Sequence, residues 1–105
     1  MNISDEAKPE NKDYIFLLFV AGEEPHSKTA NDNLEKFCAS HLNESFEIKV
    51  VDVLESFKIA LENSIFLTPA LIKIAPAPAA TFFGDLSDTN ELIKVLGLKG
   101  VTNGR

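Results

Sequence analysis

Between Tyr14 and Gly22 the sequence reads YIFLLFVAG, an apolar run with no polar alternation. A strand with one face in water alternates apolar and polar residues. A run that is apolar at every position needs cover on both faces, as in a parallel sheet sandwiched by helices. The run is also far shorter than the roughly 20 residues that cross a bilayer. Gly22 ends it, so a buried strand of a layered α/β domain is expected.

The segment EEPHSKTANDNLEKFCASHL follows. Pro25 suits a first helical turn, and Ser27 offers an alternative N-cap. Ala30, Leu34, Phe37, Cys38 and Leu42 recur at helical spacing as one apolar stripe, with Asn43 as the expected terminator. FEIKVVDV, with Phe46, Ile48 and Val50 on one face, predicts a second strand. Strand, helix and strand in succession form a βαβ unit, expected parallel and right-handed. SFKIALEN spaces Phe57, Ala60 and Leu61 as a short helix capped by Ser56.

Residues 68–74 predict a third strand after Pro69, and APAPAA is too proline-rich for a regular element. Thr81, Phe82 and Phe83 predict a short fourth strand stopped by Gly84. Leu86-Ser87-Asp88 then opens the last helix, with Ser87 as N-cap and Asp88 complementing the helix dipole. Leu92, Val95 and Leu96 supply its buried stripe, and Gly100 with the polar VTNGR ends the chain. The expected order is βαβαββα in one α/β domain over residues 13–105. Residues 1–12, polar and acidic, read as a flexible tail.

A chain of 105 residues suits one domain, which at this size buries roughly 60% or more of its unfolded surface without disulfides or metal. Cys38 is the only cysteine, so no internal disulfide is possible, which fits a reducing compartment. The start has neither the basic nor the apolar region of a secretory signal, and a cytoplasmic protein is expected. The net charge is −6 and no two of the ten Lys and Arg residues are adjacent. Phosphate binding needs clustered cations, so nucleic acid is not an expected partner, and neither is a membrane. A basic surface on another protein fits this charge better.

A βαβ unit followed by αββα, with Thr-Pro before the third strand, resembles the thioredoxin-like fold. Pro69 occupies the place where that fold holds a cis proline. LFVAG (residues 18–22), KVVDVL (49–54), TPALIKIAPAP (68–78) and GDLSD (84–88) together resemble the KaiB family, a component of the cyanobacterial clock. The similarity covers about residues 14 to 98, in family order and nearly family spacing.

That resemblance implies a non-enzymatic regulator that binds a KaiC-type ATPase and modulates its phosphorylation or output. KaiB-like sensor histidine kinases are further implied partners, and dimers or tetramers are implied for the unbound form. It also implies a metamorphic chain, with a ground-state order βαββααβ beside the thioredoxin-like one. Gly22, Pro69, Gly84 and Asp88 are the positions expected to hold the fold or take part in such a change. Partner contacts are expected from the edge and loops between Lys73 and Asp85, including Pro76 and Pro78, and from Lys49. Lys49 and Lys73 each interrupt an apolar strand. Their plain reading is a solvent-facing position; the resemblance implies cations shown to an acidic partner.

Clock-type members of the family usually carry Lys at the position of Leu17, Tyr at that of Phe19 and a basic pair where Ala80 and Thr81 stand. Those departures favour an alternative, a KaiB-like stress-adaptation or signalling protein outside a true clock.

Catalysis is not expected. Thioredoxin-like enzymes put a cysteine at the start of the first helix, where the dipole favours thiolate. Here that place reads Glu23-Glu24-Pro25-His26-Ser27. Cys38 lies on the apolar stripe and reads as a small core residue, and Ser27 reads as a cap and not a nucleophile. His26 and His41, at opposite ends of one helix, lie roughly 20 Å apart and cannot share a metal. Asp52 and Asp85 are expected to tie loops through side-chain to backbone hydrogen bonds. No catalytic residue, metal ligand or cofactor is expected.

Overall fold

The computed structural model describes residues 13–42 and 45–96. The tail 1–12, the expected terminator Asn43 and the Gly100–Arg105 end lie outside the described residues. Seven elements follow in the expected order: β1 (Tyr14–Val20), α1 (Pro25–His41), β2 (Phe46–Asp52), α2 (Phe57–Glu62), β3 (Ala70–Ala75), β4 (Ala80–Phe83) and α3 (Thr89–Leu96).

The strands form one sheet in the order β2-β1-β3-β4. β1 runs parallel to β2, with Leu18 opposite Val50, and antiparallel to β3, with Leu18 opposite Leu71. β4 pairs antiparallel with β3 and forms the second edge. The apolar run of β1 therefore occupies an inner position with both faces covered. Phe16, Leu18 and Val20 pack under α1 and α3 with Leu34, Phe37, Leu71 and Leu92, while Phe19 turns to the opposite face with Val51, Ala60 and Ala70. The expected stripe of α1, Ala30 through Leu42, is buried throughout.

The two faces are unequal. Twelve buried residues form the cluster under α1 and α3, against five under α2. Each large apolar side chain buried contributes about 1.5–3 kcal/mol, so the first face carries most of the stabilisation. Among the described residues the second is covered by a six-residue helix and by Ile65 just after it.

Two caps differ from expectation. Pro25 does open α1, but the N-cap is Glu24, whose carboxylate accepts from the backbone N–H groups of His26 and Ser27. Ser27 is buried instead, its Oγ accepting from the Ala21 N–H at 3.0 Å. At α3 the cap is Asp88 and not Ser87: Asp88 Oδ1 accepts from the Glu91 N–H and its carbonyl from the Leu92 N–H, both at 3.0 Å. A carboxylate one residue later reaches the free N–H groups, which favours Asp over Ser. Ser56 stands at the N-cap of α2 without a side-chain capping bond.

Candidate functional site

Two regions gather most of the residues singled out in the sequence, and a third was not anticipated there. The first is the β1–α1 turn. Gly22 adopts φ +56°, and its N–H donates to Asp52 Oδ1 at 3.0 Å. The same oxygen accepts from the Leu54 N–H, so one carboxylate joins the ends of β1 and β2 as expected. Beside this turn lies a cavity of about 260 Å³ lined by Val20, Ser27, Lys28, Asn31 and Val50. Ser27 is 1% exposed and its oxygen is already an acceptor, while the exposed His26 binds Glu24 at 3.0 Å. The pairing of a free hydroxyl with a base that nucleophilic catalysis needs is therefore not assembled here. Cys38 is fully buried, and desolvation, with Glu35 adding to it, pushes its thiol up to about 12. A thiol held neutral in this way is a packing group.

The second region runs from Lys73 to Asp88. Thr68-Pro69, Ala75-Pro76 and Ala77-Pro78 are all cis peptides, as the resemblance implied for Pro69. Gly84, at φ +123°, donates its N–H to the Pro69 carbonyl at 3.0 Å. Asp85 accepts from the Ser87 N–H at 3.1 Å, and hydrogen bonds from Ser87 hold its carboxyl below the ordinary value. The Asp85 carbonyl accepts from Asn33 Nδ2 at 2.8 Å, which ties the turn to α1. Leu86 adopts φ +64° with its side chain 3% exposed in the main cluster. Left-handed backbone costs a non-glycine residue about 1–2 kcal/mol, comparable to or less than the gain from burying a leucine. GDLSD is thus a folded connection between β4 and α3. Asn33 carried no signal in the sequence, because a polar residue in a helix looks the same whether or not it reaches across the fold.

Lys73 corrects the expectation made for it. It is 4% exposed, and its Nζ donates to the Leu96 carbonyl, at the end of α3, at 2.7 Å. Strand alternation puts Lys73 on the same face as Leu71, and α3 covers that face. Its cation is neither solvent-facing nor presented to a partner in this structure. Lys49 is exposed on edge strand β2, and Pro76 and Pro78 are exposed on their loop. The structure therefore gathers Lys73, Pro76 and Pro78 at one place and leaves Lys49 on the far edge of the sheet.

The third region was missed in the sequence. Around α2, Leu54, Phe57, Leu61, Phe66 and Leu67 are each more than half exposed. Ile74 and Phe83, near half exposed, extend the same side of the sheet beyond α2. Apolar exposure gathered on one side marks an interaction surface more than scattered single residues do. Among the described residues no helix is long and apolar enough to cross a membrane, and no group of three or more His, Cys, Asp or Glu side chains is placed to hold a metal ion.

Known proteins place this geometry. The N-terminal domain of Synechococcus elongatus SasA superposes with a TM-score of 0.70 at 22% identity, over 91% of this chain and 94% of that one. Mitochondrial thioredoxin 3 of Saccharomyces cerevisiae follows at 0.65 and 20%, over 83% and 80%. The fold is thioredoxin-like. The circadian clock oscillator protein KaiB of Prochlorococcus marinus (strain NATL2A) is 40% identical over 87 residues, 83% of this chain and 81% of that protein. That of Trichodesmium erythraeum (strain IMS101) is 37% identical over 90 residues, 86% of each. Residues 17–98, from β1 to just past α3, match the KaiB domain, and the chain belongs to the KaiB family.

Proposed function

We propose that this chain is a non-enzymatic, cytoplasmic KaiB-type regulator that docks on a KaiC-type ATPase and modulates its phosphorylation or output. The observation that carries the reading is the apolar surface around α2, with Phe57, Leu61, Phe66 and Leu67 open to solvent in a chain of this family. A surface of that kind gains most when a partner covers it. Lys49 and the exposed loop at Pro76 and Pro78 add candidate polar and rigid contacts; the half-buried Asp85 is committed to its own turn. Pro69, Gly84 and Asp88 sit at the connections a rearrangement of the second half would have to remake, Gly22 holds the β1–α1 turn of the half that stays, and KaiB-like sensor histidine kinases are competing partners in this reading.

Native mass spectrometry of the full chain with the KaiC-type ATPase of its own organism and ATP tests this. Defined ring complexes are expected, at least tenfold weaker for the paired Phe57→Ser and Phe66→Ser variant. Absence of any complex after hours of incubation would overturn the clock reading. The second reading, a stress or signalling protein outside a clock, is favoured by one observation: β4 presents Ala80 and Thr81, and no cation, at the sheet edge.

A further inference from the structure

Between the 75–79 loop and the end of α3 lies a cavity of about 220 Å³. Lys73 lines it, and so does Leu96, whose carbonyl accepts its Nζ hydrogen bond. An ammonium group has three donors. Among the described residues this bond is its only one, and no carboxylate lies within ion-pairing distance. A buried cation is costly unless an opposite charge meets it. The negative end of the α3 dipole supplies part of that charge and no more.

Tyr14 lines the same cavity. Its ring stacks on Phe16 at 6.3 Å, and its hydroxyl has no partner among the described residues. The remaining wall is Pro76, Ala77, Pro78, Ala79, Ala80 and Val95, all with apolar side chains, and the two prolines lack an N–H.

These features select a ligand. One ammonium and one phenol donor match the two oxygens of a carboxylate. A phosphate, with more charge and more oxygens, calls for several donors or a guanidinium fork. A neutral amide would leave the cation unpaired. The volume lies below the roughly 300–1,000 Å³ of pockets that hold drug-sized molecules, so the body of the ligand is small, and the apolar side chains of the wall favour an apolar one. We propose that this cavity is a binding site for a small apolar monocarboxylate, held by Lys73 Nζ and the Tyr14 hydroxyl.

Nuclear magnetic resonance titration of the full chain with sodium isobutyrate at constant ionic strength tests the site. Isobutyramide and inorganic phosphate serve as parallel ligands. Saturable shifts centred on Lys73, Tyr14 and Val95 are expected for isobutyrate, with both other probes at least tenfold weaker. Tyr14→Phe is expected to weaken isobutyrate several-fold, and Lys73→Met at least tenfold. Shifts that never saturate, equal binding of the amide, or unchanged affinity in a folded Lys73→Met protein would each overturn the proposal. Should Lys73→Met not fold, the three-ligand comparison on the unaltered chain and the Tyr14→Phe protein still decide it.

Discussion

Gly22 shows how one residue can serve both a turn and a clasp. Its φ of +56° lies in the left-handed region, which an alanine occupies at a cost of about 1–2 kcal/mol. A Cβ there would also stand 3.1 Å from Leu54 Cδ1. Leu54 is 71% exposed, so that contact gives way and the backbone term dominates. Gly22→Ala is therefore expected to lose about 1–2 kcal/mol in urea denaturation. Gly22→Asn, which tolerates this region better, should lose less although it adds the same Cβ. Equal losses would make the Leu54 contact the cause. At the same scale, Lys73 and Asn33 each make a contact that no neighbouring residue in the sequence announces.

At the scale of elements, α1 depends on Glu24. N–H donation to its carboxylate, from His26 above all and also from Ser27, holds the group below its ordinary value of 4.5, against a smaller opposing effect of desolvation. The folded value lies below the unfolded one. The stabilisation is therefore complete above the unfolded value and is lost as pH falls through the folded one. Thermal melts of the native protein and Glu24→Gln should differ most near neutrality and converge in acid. A gap that stays constant with pH would show that the charge is not what matters. The stripe of α1, the parallel β1–β2 pair and the βαβαββα order were all legible, because each follows from the local period of apolar residues. The identity of the caps was legible only to within a residue or two, since Ser, Asp and Glu all present an oxygen and backbone geometry chooses among them.

Across the whole molecule the stabilisation is lopsided. Leu34, fully buried beneath α1, is expected to cost about 2–5 kcal/mol as Leu34→Ala. Phe57→Ser and Phe66→Ser, on side chains 65% and 74% exposed, should each change stability by no more than about 0.5 kcal/mol. Chemical denaturation of the three variants checks this, and a large loss in either Phe variant would mean that the α2 surface belongs to the core. If the expected difference holds, the weaker binding foreseen for the paired Phe variant belongs to docking and not to unfolding.

By itself the sequence determined the class, the order of elements, the family and the absence of a cysteine where a redox enzyme needs one, because these are written in local patterns and fixed spacings. Asp52 and Asp85 were also foreseen as loop ties, since a short carboxylate at a strand end has backbone N–H groups nearby. Only the tertiary structure decided which residues meet. Lys73 looked like a solvent-facing lysine until α3 was seen to lie over its face. The spacing of SFKIALEN puts Phe57 and Leu61 on one helical stripe with Ala60, yet only Ala60 is buried and the other two are more than half exposed. In both cases a strand or helix period says which residues share a face, while what covers that face depends on segments tens of residues away.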